Sequence, residues 1–136
     1  MNEEELAICA QQAMQKAYAP YSHFFVGAAL LTASGRVYTG ANIENASYGA
    51  SICAERSAFA KAVSDGEREF VGIAICGGSQ GKITKACLPC GICRQVMSEF
   101  CDSHFEVILV EEKGLKIYSL GELFPEAFAL EEGDEG

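Results

Sequence analysis

The chain is short of positive charge. Its 136 residues hold 10 lysines and arginines against 19 aspartates and glutamates, a net charge of −9. A polyanionic partner needs a basic face to displace its counterions, and no basic cluster is visible here. Sustained binding to nucleic acid or to an anionic membrane surface is therefore not expected. Long apolar runs are missing too, because no window reaches the roughly 18 uncharged apolar residues of a membrane span. Internal repeats, low-complexity blocks and linkers are absent. The opening stretch MNEEELAICAQQ is acidic where a signal peptide is basic, so the expected location is cytoplasmic.

What is present is an ordinary globular composition. Hydrophobic residues make up 49%, charged residues 21%, and the mean hydropathy is +0.11. These values exclude a disordered chain, a collagen and a coiled coil. The length suits one domain with one sizeable core. Glu3, Glu4 and Glu5 crowd one end and Glu131, Glu132, Asp134 and Glu135 the other, leaving the body nearly balanced. We read residues 1–130 as a single domain and residues 131–136 as a solvated acidic tail.

Hydrophobic periodicity predicts nine elements. Leu6, Ala10, Ala13, Met14 and Ala17 mark a helix over 3–17, stopped at Ala19-Pro20-Tyr21. Residues 24–32 and 36–41 read as a β-hairpin about Ser34-Gly35. A helix over 53–65 ends at Asp65-Gly66, and the apolar run 70–77 reads as a buried strand. A Gly/Ser/Lys loop over 78–88 leads through Pro89 to a helix over 90–101. Strands at 105–110 and 115–118 and a short helix at 119–124 follow. A hairpin followed by β-α-β crossovers implies an α/β fold, a three-layer α/β/α sandwich around a five-stranded mixed sheet.

Seven cysteines is a high and odd number, which reads better as metal ligands plus buried thiols than as a disulfide framework. Cys9 and Cys76 lie in apolar runs and Cys101 ends a helix, where a thiol serves as a small hydrophobe. Cys53, Cys87, Cys90 and Cys93 need a chemical explanation. Pro89-Cys90-Gly91-Ile92-Cys93 is a C-x-x-C at a helix start, whose i, i+3 spacing puts both sulfurs on one face. Cys53 opens the preceding helix. Helix N-termini favour thiolate, the form that binds metal. Three thiolates on one zinc leave the fourth tetrahedral position for water, the pattern of catalytic sites. C-x-E followed by a distant P-C-x-x-C is the known signature of zinc deaminases, in which the glutamate moves protons and does not ligate. Here that glutamate is Glu55. Three other readings stay open: a closed structural zinc with Cys87 as fourth ligand, a redox pair at Cys90 and Cys93, and an iron–sulfur run that lacks its usual last cysteine.

At these residues the sequence resembles the cytidine deaminases, in their short, three-cysteine, homotetrameric form. The likeness runs from Ala19-Pro20-Tyr21-Ser22 to Leu123–Phe128 and includes FFVGAAL at 24–30, NIENASY at 42–48, CAER at 53–56 and PCGICRQ at 89–95. The resemblance implies one Zn²⁺ per subunit on Cys53, Cys90 and Cys93. It also implies a substrate site of Phe24, Asn42, Glu44 and Ala54, with Tyr48 and Phe128 contributed between subunits. Asn42 and Glu44 would grip the ribose hydroxyls, and Phe24 would pack on the pyrimidine. The residues alone also allow Asn42 as a turn cap and Phe24 or Phe128 as plain core. His23, Phe25, Cys87 and Leu88 depart from the family's pattern around the site.

The implied reaction is hydrolytic deamination of cytidine and deoxycytidine in pyrimidine salvage, with Glu55 carrying the water's proton to N3 and then to the departing ammonia. Three thiolates and Zn²⁺ sum to −1, so a cationic partner is expected. The resemblance supplies Arg56, and position alone suggests Arg94; a surface ion pair is the plain alternative for each. Two further functions compete. One is a related deaminase of another small substrate, of the blasticidin type, which should lack the intact Asn42-x-Glu44 pair. The other is a non-enzymatic module stapled by zinc.

Overall fold

A computed structural model describes residues 1–132, so the expected tail lies partly outside the described residues, Asp134 and Glu135 included. Helix α1 (Glu3–Met14) opens with a reciprocal cap in which Asn2 accepts from the Glu5 N–H and Glu5 accepts from the Asn2 N–H. It ends earlier than the spacing predicts. Lys16 and Ala17 donate to the carbonyls three residues back, Ala13 and Met14, which tightens the last turn and stops the helix. The chain then passes beside the segment around Ile43, where the Tyr18 N–H donates to the Asn42 carbonyl at 2.9 Å.

Strands β1 (Phe24–Thr32), β2 (Val37–Ala41), β3 (Phe70–Ser79), β4 (Glu106–Glu111) and β5 (Gly114–Ser119) form one sheet in the order β2-β1-β3-β4-β5. Only β3 and β4 run parallel, with Ile73 opposite Val107; the other three pairings are antiparallel. Strand β3 runs two residues past the expected 70–77. Gly78 and Ser79, which composition alone assigns to a loop, pair with Phe25 and Phe24. A Cβ on Gly78 would lie 1.9 Å from the Lys82 carbonyl oxygen, so the glycine marks a close backbone approach inside a strand.

Alternation along the strands sorts the core into two layers. Ala29, Ala74, Cys76 and Ile108 meet Leu6, Ala10 and Met14 of α1 on one face. Burying Leu6 and Met14 contributes about 1.5–3 kcal/mol each. Ala28, Leu30, Ile73, Ile75, Val107 and Leu109 face α2 (Ala54–Ser64), α3 (Gly91–Phe100) and the short α4 (Leu120–Leu123) on the other. This is the expected three-layer sandwich. Cys76 is buried in the α1 layer, and Cys101 packs against the opposite one. Among the described residues no helix is long and apolar enough to cross a membrane.

One glycine carries the fold to the site. A Cβ on Gly40 of β2 would lie 2.4 Å from the Ala54 carbonyl oxygen and 2.6 Å from the Ala58 nitrogen. Only a bare backbone there lets the first turn of α2 settle onto the sheet. That turn holds Glu55, and Cys53 caps it.

Candidate active site

Cys53 is the N-cap residue of α2 and Cys90 the N-cap residue of α3, neither using its side chain as a cap. Cys93 follows in the first turn of α3, 1% exposed. Because α2 and α3 lie on the same face of the sheet, the two helix starts meet. The Cys53 and Cys90 sulfurs stand 3.9 Å apart, those of Cys90 and Cys93 3.5 Å, and all three lie within 4.8 Å of one another. A tetrahedral zinc with Zn–S bonds of about 2.3 Å needs S···S separations of about 3.8 Å. The three cysteines fit that ion. Cys87 stands outside this group, its sulfur packed against Gly77 at the end of β3. The closed four-thiolate site therefore loses its fourth ligand.

The helix N-termini and the crowding of sulfurs polarise the cluster. A hydrogen bond from Cys93, aided by Arg56 and Cys90 against the cost of burial, brings the Cys53 thiol down to about 5, while the same bond and burial push Cys93 up. Burial pushes the Cys87 thiol up to about 11. Glu55 is 4% exposed, and burial, reinforced by the negative charge of Cys53, raises its carboxyl to about 7. A carboxyl poised there can both take and give a proton near neutral pH.

Cys53, Glu55, Cys87 and Cys90 line a cleft of about 370 Å³ that also takes in Asn42, Glu44, Tyr48, Ala54 and Arg56. The backbone ties the cleft walls together, since Ile43 and Ile52 exchange both N–H···O bonds at 3.0 Å, one residue before Cys53. Glu44 is clamped from three sides. Its Oε1 accepts from the N–H groups of Tyr21 at 3.0 Å and Ser22 at 3.1 Å, and its Oε2 accepts from the Ser22 hydroxyl. The Ser22 hydroxyl first, then its N–H, hold the Glu44 carboxyl below its usual range. Asn42 is held as firmly: its Oδ1 accepts from the Val26 N–H and its Nδ2 donates to the Phe24 carbonyl, each at 2.9 Å. Among the described residues one N–H and one lone pair of that amide remain uncommitted.

The two arginines part company. Nη2 of Arg56 donates to the Ser51 carbonyl at 3.2 Å and reaches the Cys53 sulfur at 3.9 Å. Its Nε–H is buried without an acceptor among the described residues. Arg94 does not make the expected contact with sulfur. Its Nε donates to the Pro89 carbonyl at 2.8 Å and its Nη1 to the Leu123 carbonyl at 2.6 Å. A guanidinium at the fourth position of α3 folds back over the loop, away from the cysteines on the inner face. Neither arginine forms an ion pair; among the described residues that pairing occurs at Arg36 and Asp65.

Aromatic residues are less gathered. Phe24, at the start of β1, lies with Cys87 against Gly77 beside the cleft. Tyr48 reaches the cleft but is 77% exposed, and Phe128 is 67% exposed and outside the cleft of its own chain. The residue sequence reasoning missed is Ser22. It falls within the Ala19–Ser22 motif, yet nothing in its position announces a partner 22 residues away.

The chain matches the model of the cytidine and deoxycytidylate deaminase zinc-binding region over residues 1–109. A cytidine deaminase of Sporosarcina psychrophila is 44% identical over 133 residues, covering 97% of this chain and 95% of that protein. The chain belongs to the cytidine deaminase family. A probable cytidine deaminase of Dictyostelium discoideum is 46% identical, over 97% of this chain and 89% of the relative. The crystal structure of cytidine deaminase from Burkholderia pseudomallei superposes with a TM-score of 0.86 at 46% identity, covering 94% of this chain and all of that one (100%). As a zinc-binding member of this family the chain is an enzyme, and the Cys53, Cys90 and Cys93 sulfurs are suited to its one zinc.

Proposed function

We propose that this enzyme deaminates cytidine and deoxycytidine hydrolytically to uridine and deoxyuridine plus ammonia, in pyrimidine salvage in the cytoplasm. The observation that carries the proposal is the buried Glu55 carboxyl in a cleft lined by Cys53 and Cys90, whose sulfurs converge with that of Cys93. Zinc, when bound, supplies Lewis acidity that brings the pKa of water toward about 7. Cys53, Cys90 and Cys93 would hold it. Glu55 takes the proton of the attacking water, delivers it to N3 of the pyrimidine, and serves again as the amine departs. Its raised carboxyl suits both directions of transfer.

Substrate selection rests on the polar wall. Glu44, ionised and fixed by Tyr21 and Ser22, accepts from a ribose hydroxyl, and the uncommitted amide valences of Asn42 take part in the same grip. A substrate lacking that hydroxyl forfeits a charge-assisted hydrogen bond to Glu44, which discriminates more sharply than a lost apolar contact. The intact pair favours a nucleoside over a blasticidin-type substrate. Phe24 packs on the base, and Ala54 brings backbone close to it.

The exposure of Tyr48 and Phe128 supports a homotetramer in which these rings enter a neighbour's cleft. Sedimentation of a stable monomer that is fully active would overturn that part. The substrate is tested by following ultraviolet absorbance of the zinc-loaded protein with cytidine, deoxycytidine, cytosine and CMP. Conversion of the two nucleosides alone is the expected result. Turnover of free cytosine at a comparable rate would remove the ribose grip, and no turnover of any of the four would refute the assignment.

A further inference from the structure

We propose that Arg94 is a positioning residue for the metal centre, the tie that fixes the Cys90 sulfur by holding the Pro89–Cys90 peptide against the end of α4. Of the three cysteines, Cys93 is buried in the core and set by the helical backbone, and Cys53 is half-buried against the same core. Cys90 is exposed, and packing holds it only through its neighbour Pro89, whose side chain is buried. Its sulfur is placed by the backbone that enters α3, and that backbone is anchored on its outer side by the Nε–H of Arg94 on the Pro89 carbonyl at 2.8 Å.

The other end of the guanidinium donates to the Leu123 carbonyl at 2.6 Å, at the end of the one-turn α4, where a carbonyl lacks an intrahelical partner. A cation in the first turn of α3 is set against the positive end of that helix dipole. The two carbonyls offset this disadvantage, and the planar guanidinium suits the bridge because its donors are rigidly spread. The neighbouring Gln95 reinforces the tie, its Nε2 donating to the Phe128 carbonyl at 3.0 Å. Two successive residues of the helix that carries Cys93 thus hold the segment 123–128 on one side, and Arg94 holds the Cys90 loop on the other.

The proposal rests on the three cysteines holding the zinc, and the test separates the two. Wild-type protein is first shown to carry one zinc per chain and, after exchange, a thiolate-to-cobalt charge-transfer band. A protein without either would sink both statements together. Zinc release into a chromophoric chelator is then compared for wild type, Arg94→Ala and Arg94→Lys. Removing a group that orients a ligand costs about 10–100-fold in metal affinity, so R94A should release zinc faster by at least about tenfold. Its cobalt band should be altered, millimolar guanidinium should slow the release, and R94K should fall between. Wild-type release and an unaltered band in folded R94A would overturn the proposal. So would faster release that guanidinium leaves untouched, with a lower unfolding midpoint in the metal-free protein, because that describes a merely structural tie. Should R94A not fold, R94K is judged by the same measures, and wild-type behaviour there is equally fatal.

Discussion

Replacing Glu55 by Gln tests the centre of the site twice, because the same burial that poises the carboxyl also destabilises it when charged. The folded chain raises this carboxyl from 4.5 to about 7. The folded state therefore binds the proton more tightly than the unfolded one. Between those two values the unfolded chain ionises first, so this group's contribution to stability falls as pH rises through about 4.5 to 7 and stays lost above it. At 1.36 kcal/mol per pKa unit the cost amounts to about 3 kcal/mol. Glutamine keeps the shape and carries no charge. In urea unfolding of metal-free protein, E55Q should match wild type at pH 4 and exceed it by about 3 kcal/mol at pH 8. Loss of general acid–base catalysis should lower turnover by about 10²–10⁴-fold, or about 3–5 kcal/mol of barrier, with one zinc per chain retained. A metal-free E55Q no more stable than wild type at pH 8 would refute the electrostatic reasoning. Wild-type turnover would remove Glu55 from the chemistry.

Three further outcomes are expected. Ser22→Ala removes the hydroxyl that contributes most to holding the Glu44 carboxyl low, so that pKa rises, the carboxylate is protonated earlier on acidification, and the increase in KM for cytidine begins at higher pH. At neutral pH one lost charge-assisted bond should raise KM on the order of tenfold with kcat little changed, and a KM–pH profile superimposable on wild type would refute it. Gly40→Ala drives a methyl into the backbone of α2, which should cost about 1–3 kcal/mol in thermal unfolding and speed zinc loss by displacing Cys53; unchanged values in both would show that the helix can yield. Arg56→Ala removes the cation beside Cys53 and should lower both zinc retention and turnover, so normal values in a chelator assay and in kinetics would dismiss charge compensation.

Elements and zinc ligands were the legible part, since both depend on near neighbours. Helix periodicity, the Ser34-Gly35 turn and the C-x-x-C spacing all act within a few residues. The errors fall where contacts reach across the chain. Residues 15–17 look helical by pattern but close in tight turns onto Gln12, Ala13 and Met14, so that Tyr18 pairs with the Asn42–Glu44 segment, and Gly78 looks like a loop but serves a strand that must admit the Lys82 carbonyl. Arg94 sits next to Cys93 in sequence, yet its long side chain finds two carbonyls instead of sulfur.

By itself, then, the sequence determined the order of elements, the identity of the three sulfurs and the glutamate two residues from the first of them. Local spacing sets these, and folding does not alter it. Only the tertiary structure decided that Cys87 stays outside the cluster, that Ser22 clamps Glu44, and that Asn42 is spent largely on β1. It also raised Glu55 to about 7, because burial is a property of everything packed around a residue and not of its neighbours in the chain.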